Sequence, residues 1–157
     1  MKEKIFNPEF QVEKARKIGP ETLARILKKR KSKSVLITGG KLLEDEILAD
    51  LIAELVKKSG IKVIATGGSS KPLIERGINV NTCLLSHITE KLTDVNILIF
   101  VGFEPYLLSR LLSNIKHFLN VLTVSIDFYY QPNAKLSFPN CDNYGLIETL
   151  VSCLSDC

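Results

Sequence analysis

Apolar positions along this chain follow two rhythms. Unbroken apolar runs occur at Val35-Leu36-Ile37-Thr38, Val63-Ile64-Ala65, Asn96-Ile97-Leu98-Ile99-Phe100-Val101 and Val121-Leu122-Thr123-Val124-Ser125-Ile126, each stopping at glycine or a small polar or acidic residue. Runs of this kind predict strands buried on both faces. Between them apolar residues recur every three or four positions, the spacing of a helix with one buried stripe. Leu23, Ala24, Ile26 and Leu27 form the first stripe, opened by Gly19-Pro20 with Glu21 in the first turn. The strongest helix is expected over roughly 42–58, with Leu43, Ile47, Leu48, Leu51, Ile52 and Leu55 as its stripe. Glu44, Asp45 and Glu46 fall in its first turn, Lys57 and Lys58 in its last, and Gly60 just beyond, the charge and stop pattern of a helix. Further helices are expected from Pro72 to Gly77, around Leu84, Leu85, Ile88 and Leu92, after Pro105 (Leu107, Leu108, Leu111, Leu112, Ile115), and around Leu146, Ile147, Leu150, Val151 and Leu154. Residues 78–83 and Lys135–Phe138 read as short edge strands.

Apolar strands separated by helices predict an α/β fold with a parallel sheet covered on both faces. Right-handed crossovers make that sheet doubly wound and Rossmann-like, of five to six strands. The expected order is 3-2-1-4-5 with the sixth strand at the far edge, counting the strands along the chain from Val35. A length of 157 residues fits a single domain, 1–157, with residues 1–18 as an N-terminal arm because they carry no clean period.

Composition narrows the class. Apolar residues make up 45% and charged residues 24%, ordinary for a globular chain. No apolar run approaches the roughly 18 residues that cross a bilayer. The start, Met1-Lys2-Glu3-Lys4-Ile5, is too polar for a secretory leader. Four cysteines, at 83, 141, 153 and 157, form no Cys-x-x-Cys pair, which points to reduced thiols and a cytoplasmic protein. The net charge of +4 hides an asymmetry: residues 1–33 carry eleven Lys/Arg against four Asp/Glu. The cluster Lys28-Lys29-Arg30-Lys31-Ser32-Lys33 suits a solvated helix end or an acidic protein surface. It lacks the interleaved aromatics and the motifs of a nucleic-acid site, so neither nucleic acid nor membrane is an expected partner.

In doubly wound sheets ligands lie beyond the carboxyl ends of the strands, where the strand order reverses. Here those ends carry Gly39-Gly40-Lys41, Thr66-Gly67-Gly68-Ser69, Gly102 and Asp127. On the functional reading the glycines admit a pyrophosphate and Asp127 accepts from a ribose hydroxyl. On the plainer reading the glycines only close tight turns. The Gly-x-Gly-x-x-Gly fingerprint is absent and no acid ends the second strand, which disfavours ordinary NAD binding. Gly39-Gly40-Lys41 lacks the spacing of a nucleoside-triphosphate loop and precedes three acids, so ATP hydrolysis is not expected. His87 and His117, the only histidines, sit away from the strand ends, and Cys153 with Cys157 is too small a set for zinc. No catalytic residue and no metal site emerges, and the sequence reads as a binding or accessory chain.

The loop after the fifth strand, Asp127-Phe128-Tyr129-Tyr130-Gln131-Pro132-Asn133-Ala134-Lys135, sets three aromatics before Pro-Asn. Tyr129, Tyr130, Gln131, Pro132 and Asn133 are candidates for a partner contact, with folding back over the sheet edge as the even alternative. This loop, running into Leu136-Ser137-Phe138, resembles the signature of the epsilon subunits of archaeal carbon monoxide dehydrogenase/acetyl-CoA decarbonylase-synthase complexes. Ala65-Thr66-Gly67-Gly68-Ser69, Ile74-Glu75-Arg76-Gly77-Ile78 and Ile99-Phe100-Val101-Gly102 are similar to the family as well, and the likeness runs from about Gly19 to the C-terminus. It implies a Rossmann-like fold of the DHS-like NAD/FAD-binding type. It also implies tight association with the catalytic alpha subunit, which holds the nickel–iron–sulfur chemistry. The implied role is stabilisation of that subunit, with assistance in passing electrons to FAD as the further role and FAD as the candidate cofactor. Gly39, Gly40, Lys41, Thr66, Gly67, Gly68, Ser69, Gly102 and Asp127 are the candidate cofactor residues. The alternatives are a stand-alone flavin- or nucleotide-binding module and, for the isolated chain, a homo-oligomer.

Overall fold

The computed structural model describes residues 15–30, 33–82, 95–118, 121–139 and 143–155. In chain order the elements are β1 (Arg16–Lys17), α1 (Pro20–Arg30), β2 (Ser34–Thr38), a 3-10 turn (Gly40–Leu43), α2 (Glu46–Ser59), β3 (Lys62–Ala65) and α3 (Ser70–Glu75). They continue with β4 (Asn81–Thr82), β5 (Ile97–Val101), α4 (Pro105–Phe118), β6 (Leu122–Ser125), β7 (Leu136–Ser137) and α5 (Asn143–Ser155). One seven-stranded sheet, with every pairing parallel, runs β1-β7-β6-β5-β2-β3-β4.

Period two along the strands sorts the core into two layers. Leu36, Val63, Ile99 and Val124 are register partners across four strands and pack with Leu23 and Leu27 of α1, Ile52 and Leu55 of α2 and Ile147 and Leu150 of α5. The alternate residues Val35, Ile37, Ile64, Leu98 and Phe100 face α4 through Leu108, Leu111, Leu112 and Ile115. Helices therefore cover both faces. Each fully buried Leu or Ile contributes roughly 1.5–3 kcal/mol, so the interleaving fixes register as well as stability. No helix among the described residues is long and apolar enough to cross a membrane.

The expected α/β class with a parallel sheet stands, but the sheet has seven strands rather than five to six, so its full order differs from the expected one by the strand added beyond β7. Arg16–Lys17, placed by the sequence in a surface arm, is a seventh strand at the sheet edge beside β7. A two-residue strand has no period to read. It is held by long-range bonds: Arg16 N–H to the Lys135 carbonyl (3.0 Å), Ile18 N–H to the Ser137 carbonyl (3.0 Å), and the Tyr130 hydroxyl donating to the Ala15 carbonyl. The strongest helix also begins later than expected. Asp45 is its N-cap and accepts from Leu48 N–H at 3.0 Å, so Gly40–Leu43 becomes a separate turn. That phase leaves Leu43 and Ile47 outside the buried stripe, and Leu107 of α4 is likewise exposed. The helix expected around Leu84–Leu92, His87, and Cys83, Cys141 and Cys157 lie outside the described residues. Cys153 is a half-buried free thiol.

Candidate functional site

Strand order reverses between β2 and β5, and the turns leaving β2, β3, β5 and β6 meet there. The meeting is close. A Cβ on Gly39 would stand 2.5 Å from the Gly102 carbonyl oxygen and 2.8 Å from the Phe103 ring. Gly102 itself has a φ of 82°, a left-handed backbone that disfavours any side chain. Two bonds lock the crossing: Gly39 N–H to the Val101 carbonyl and Lys41 N–H to the Gly102 carbonyl, each 2.9 Å. The glycines at this point thus permit the chain to pack on itself.

The β3 turn is tied to β2 in the same way. Thr66 donates to the Thr38 carbonyl through its N–H (3.0 Å) and its hydroxyl (2.7 Å). The Ser69 hydroxyl donates to the Thr66 carbonyl at 2.7 Å and lies 2.7 Å from the Thr38 hydroxyl. Thr38, Thr66 and Ser69 are all buried. Gly67 borders a cavity, whereas a Cβ on Gly68 would meet Leu43 at 3.0 Å.

Asp127 closes the fourth turn. Oδ1 accepts from Gly102 N–H at 2.6 Å and Oδ2 from Phe103 N–H at 3.3 Å, so one carboxylate clamps the end of β5 to the end of β6. Burial pushes its pKa from the ordinary 3.8 up to about 7, against the opposing pull of the two amides and of Lys41. Both oxygens are engaged by backbone, which is a different use from accepting a ribose hydroxyl.

Two cavities open on this floor. One, of about 440 Å³, is lined by Lys41, Glu44, Asp45, Leu48, Phe103, Asp127, Phe128, Tyr129 and Tyr144. The other, of about 490 Å³, is lined by Gly40, Lys41, Glu44, Thr66, Gly67, Gly102, Phe103, Glu104 and Leu107. Of the expected cofactor residues the structure thus brings Gly40, Lys41, Thr66, Gly67, Gly102 and Asp127 to cavity walls, while Gly39, Gly68 and Ser69 support the turns behind them. Sequence reasoning missed Phe103, Asp45 and Tyr144 as wall residues. Phe103 stacks edge-on against Phe100 at 5.9 Å, and Tyr144 arrives from α5, meeting Phe128 at 5.2 Å and donating to Asp45 Oδ2 at 2.5 Å. Phe103 had a legible signal, a large apolar residue straight after a strand-ending glycine. Tyr144 had none, being 99 positions from Asp45.

A flavin dinucleotide needs amide donors and a positive field for its pyrophosphate. Here Leu48 N–H is taken by Asp45, Leu107 N–H by Glu104 at 3.1 Å, and Gly39 and Gly102 N–H by the chain itself. Lys41 is the one cation among the described wall residues, facing Glu44 in both cavities, Asp45 and Asp127 in the first and Glu104 in the second. These four amides are therefore taken up within the chain, and the one wall cation is set among acids. Among the described residues no group of three His, Cys, Asp or Glu side chains is placed to hold a metal ion.

The aromatic loop takes the fold-back course over most of its length. Tyr130, Gln131 and Pro132 are buried. Gln131 donates from Nε2 to the Pro105 carbonyl (3.2 Å) and from its N–H to Ser137 Oγ (3.0 Å), while Asn133 Nδ2 donates to Ser109 Oγ (2.6 Å). Lys17 Nζ lies 5.6 Å from the Tyr130 ring centre. Of the five residues expected to meet a partner, Tyr129 and Asn133 are half-buried and the others serve this chain's own core.

The chain is similar to known sequences. Residues 7–148 match the family model described as CO dehydrogenase beta subunit/acetyl-CoA synthase epsilon subunit. The chain is 44% identical to the acetyl-CoA decarbonylase/synthase complex subunit epsilon 1 of Archaeoglobus fulgidus, over 78% of this chain and 73% of that protein. It is 32% identical to the subunit epsilon of Methanocaldococcus jannaschii (82% and 80% covered) and 29% identical to the subunit epsilon 1 of Methanosarcina barkeri (96% and 95%).

Proposed function

Because the chain belongs to the family of CO dehydrogenase beta subunits and acetyl-CoA synthase epsilon subunits, we propose that it is a non-catalytic accessory subunit of an acetyl-CoA decarbonylase/synthase complex. In this reading it buttresses the catalytic alpha subunit, in the cytoplasm, on a doubly wound, Rossmann-like scaffold. The supporting observation is the use made of the polar groups at the strand ends. Asp127, Thr66 and Ser69 are spent on hydrogen bonds between turns, which leaves a rigid floor rather than a reactive constellation.

The test is anaerobic affinity purification of the tagged full chain from its native cells, with co-eluting proteins identified by mass. A large subunit carrying nickel and iron–sulfur centres is expected in equal amount. Elution of the chain alone, or turnover of CO or acetyl-CoA by the chain alone, would overturn the reading.

Flavin binding is the second reading, favoured by the aromatic wall of Phe128, Tyr129 and Tyr144. With the Leu48, Leu107, Gly39 and Gly102 amides engaged elsewhere and Lys41 set among acids, we assign this chain no electron-transfer step. Titration of the purified chain with FAD is expected to leave flavin fluorescence flat, and saturable quenching would bring the flavin reading to the front.

A further inference from the structure

Large apolar side chains left bare on a folded domain need a physical account when they cluster. The exposed large hydrophobics among the described residues are Leu43, Ile47, Ile74, Tyr106 and Leu107, between 40% and 67% exposed. Four of them belong to the first turns leaving a strand's carboxyl end (the 3-10 turn, the start of α2 and the start of α4), and Ile74 follows in the last turn of the short α3. Leu107 lines one of the two cavities, and Leu43, Ile47 and Tyr106 are chain neighbours of the wall residues Glu44, Leu48 and Leu107. The opposite end of the sheet differs completely. There the ends of α1 and α2 and the starts of β2 and β3 expose Lys28, Lys29, Arg30, Lys33, Lys57, Lys58 and Lys62 without a large exposed apolar residue among the described ones.

Charge identifies what the apolar rim is built to meet. Exposed Glu44, Glu46, Glu75 and Glu104 are interspersed with the apolar residues, against exposed Lys41, Lys71 and Arg110, which leaves the rim acidic on balance. Asp50 is already paired with Arg76 at 2.6 Å. A second copy suits this rim poorly. Rim against rim sets four acids against four acids, and rim against the lysine end offers no large exposed apolar counterpart among the described residues.

We propose that the rim of Leu43, Ile47, Ile74, Tyr106 and Leu107 is the docking surface for a different protein, whose contact face is apolar at its centre and basic at its edge. The cavities within the rim receive that partner's anchoring side chains, the arrangement in which a few buried contacts dominate affinity. The acids of the rim steer the encounter more than they hold it. This inference rests on the accessory-subunit reading and moves the contact from the aromatic loop to the strand ends.

The test coexpresses the full chain with the alpha subunit of the same organism's complex and measures affinity by interferometry. The variants are Ile47→Glu combined with Leu107→Glu, the milder Tyr106→Ala, and Lys57→Glu combined with Lys58→Glu at the opposite end. Circular dichroism melts of all three are compared with the wild type, so that a loss of binding counts only in a variant that keeps the wild-type fold. The double rim variant is expected to weaken binding roughly tenfold or more, Tyr106→Ala by several-fold, and the lysine variant not at all. Wild-type binding with an unaffected rim variant overturns the docking surface while the accessory reading stands. Failure of the wild type to bind overturns the accessory reading and this inference together. A wild-type dimer that Ile47→Glu turns into a monomer makes a second copy the occupant and also overturns the proposal.

Discussion

Replacing Asp127 by Asn tests the clamp at the centre of the site. In the folded chain its carboxyl ionises near pH 7, and in the unfolded chain near 3.8, with desolvation as the largest cause. Between those values the native protein holds a proton that the unfolded chain releases. This carboxyl's contribution to stability is therefore fully present below pH 3.8 and is lost as pH rises through 7. At about 1.4 kcal/mol per pH unit, the whole interval corresponds to about 4 kcal/mol. Lys41, Glu44 and Asp45 line the same cavity, and Lys41 acts to favour the charged form. The Asn variant cannot titrate. Its side-chain oxygen keeps the bond from Gly102 N–H, but its amide group turns a donor toward Phe103 N–H, costing about 1–3 kcal/mol at every pH. Urea unfolding followed by circular dichroism at half-unit steps from pH 4.5 to 8 measures both chains. The stability difference, wild type minus variant, is expected to fall by several kcal/mol across that range and to flatten above pH 8. A difference that stays level would mean that Asp127 is ionised throughout, its two amide bonds outweighing burial, and would refute the reasoning.

Three further substitutions probe the frame around that clamp. Tyr130→Phe removes the hydroxyl that donates to the Ala15 carbonyl. It is expected to cost about 0.5–1.5 kcal/mol and to speed amide exchange at Arg16 and Ile18 selectively, which two-dimensional NMR reads directly. Gly39→Ala places a methyl 2.5 Å from the Gly102 carbonyl, with backbone rather than a flexible side chain in the way. A loss of about 1–3 kcal/mol is expected in thermal melts. Gly145→Ala is the contrast: that glycine lies inside α5 with nothing within 4 Å of an added Cβ, and the change is expected to stabilise by about 0.5–1 kcal/mol.

What the sequence disclosed depended on how many residues each feature engages. β2 and β5 are five residues long and buried throughout, and β6 alternates Leu122 and Val124 with buried Thr123 and Ser125, so their runs stood out and the parallel, two-layered core followed. β1, β4 and β7 have two residues each, too few to show a period, and β1 exists only through its partners on β7 and Tyr130. The glycine-rich strand ends were legible as a place but ambiguous as chemistry. A glycine that admits a phosphate and one that admits a neighbouring backbone look alike until the distance from Gly39 to Gly102 is known. Asp127 had the same difficulty, since its acceptors are answered by two amides 24 and 25 positions earlier.

The apolar stripes carried a more useful discrepancy. Leu43, Ile47 and Leu107 fit a helical stripe by spacing, yet the N-cap at Asp45 and the start of α4 at Pro105 set phases that leave them outside the core. A stripe wider than the core needs is apolar surface in excess of what folding uses. Leaving it bare costs solubility, so its placement at one end of the sheet, beside engaged strand-end groups and opposite a lysine-rich end, calls for a covering surface. The aromatic loop argues the same point from the other side. Its Tyr130, Gln131 and Pro132, for which partner contact and folding back were even alternatives in the sequence, are buried and engaged in holding β1 and α4. Of the loop, Phe128, Tyr129, Asn133 and Lys135 keep accessible surface. Docking through the rim requires only the removal of water from side chains already turned outward.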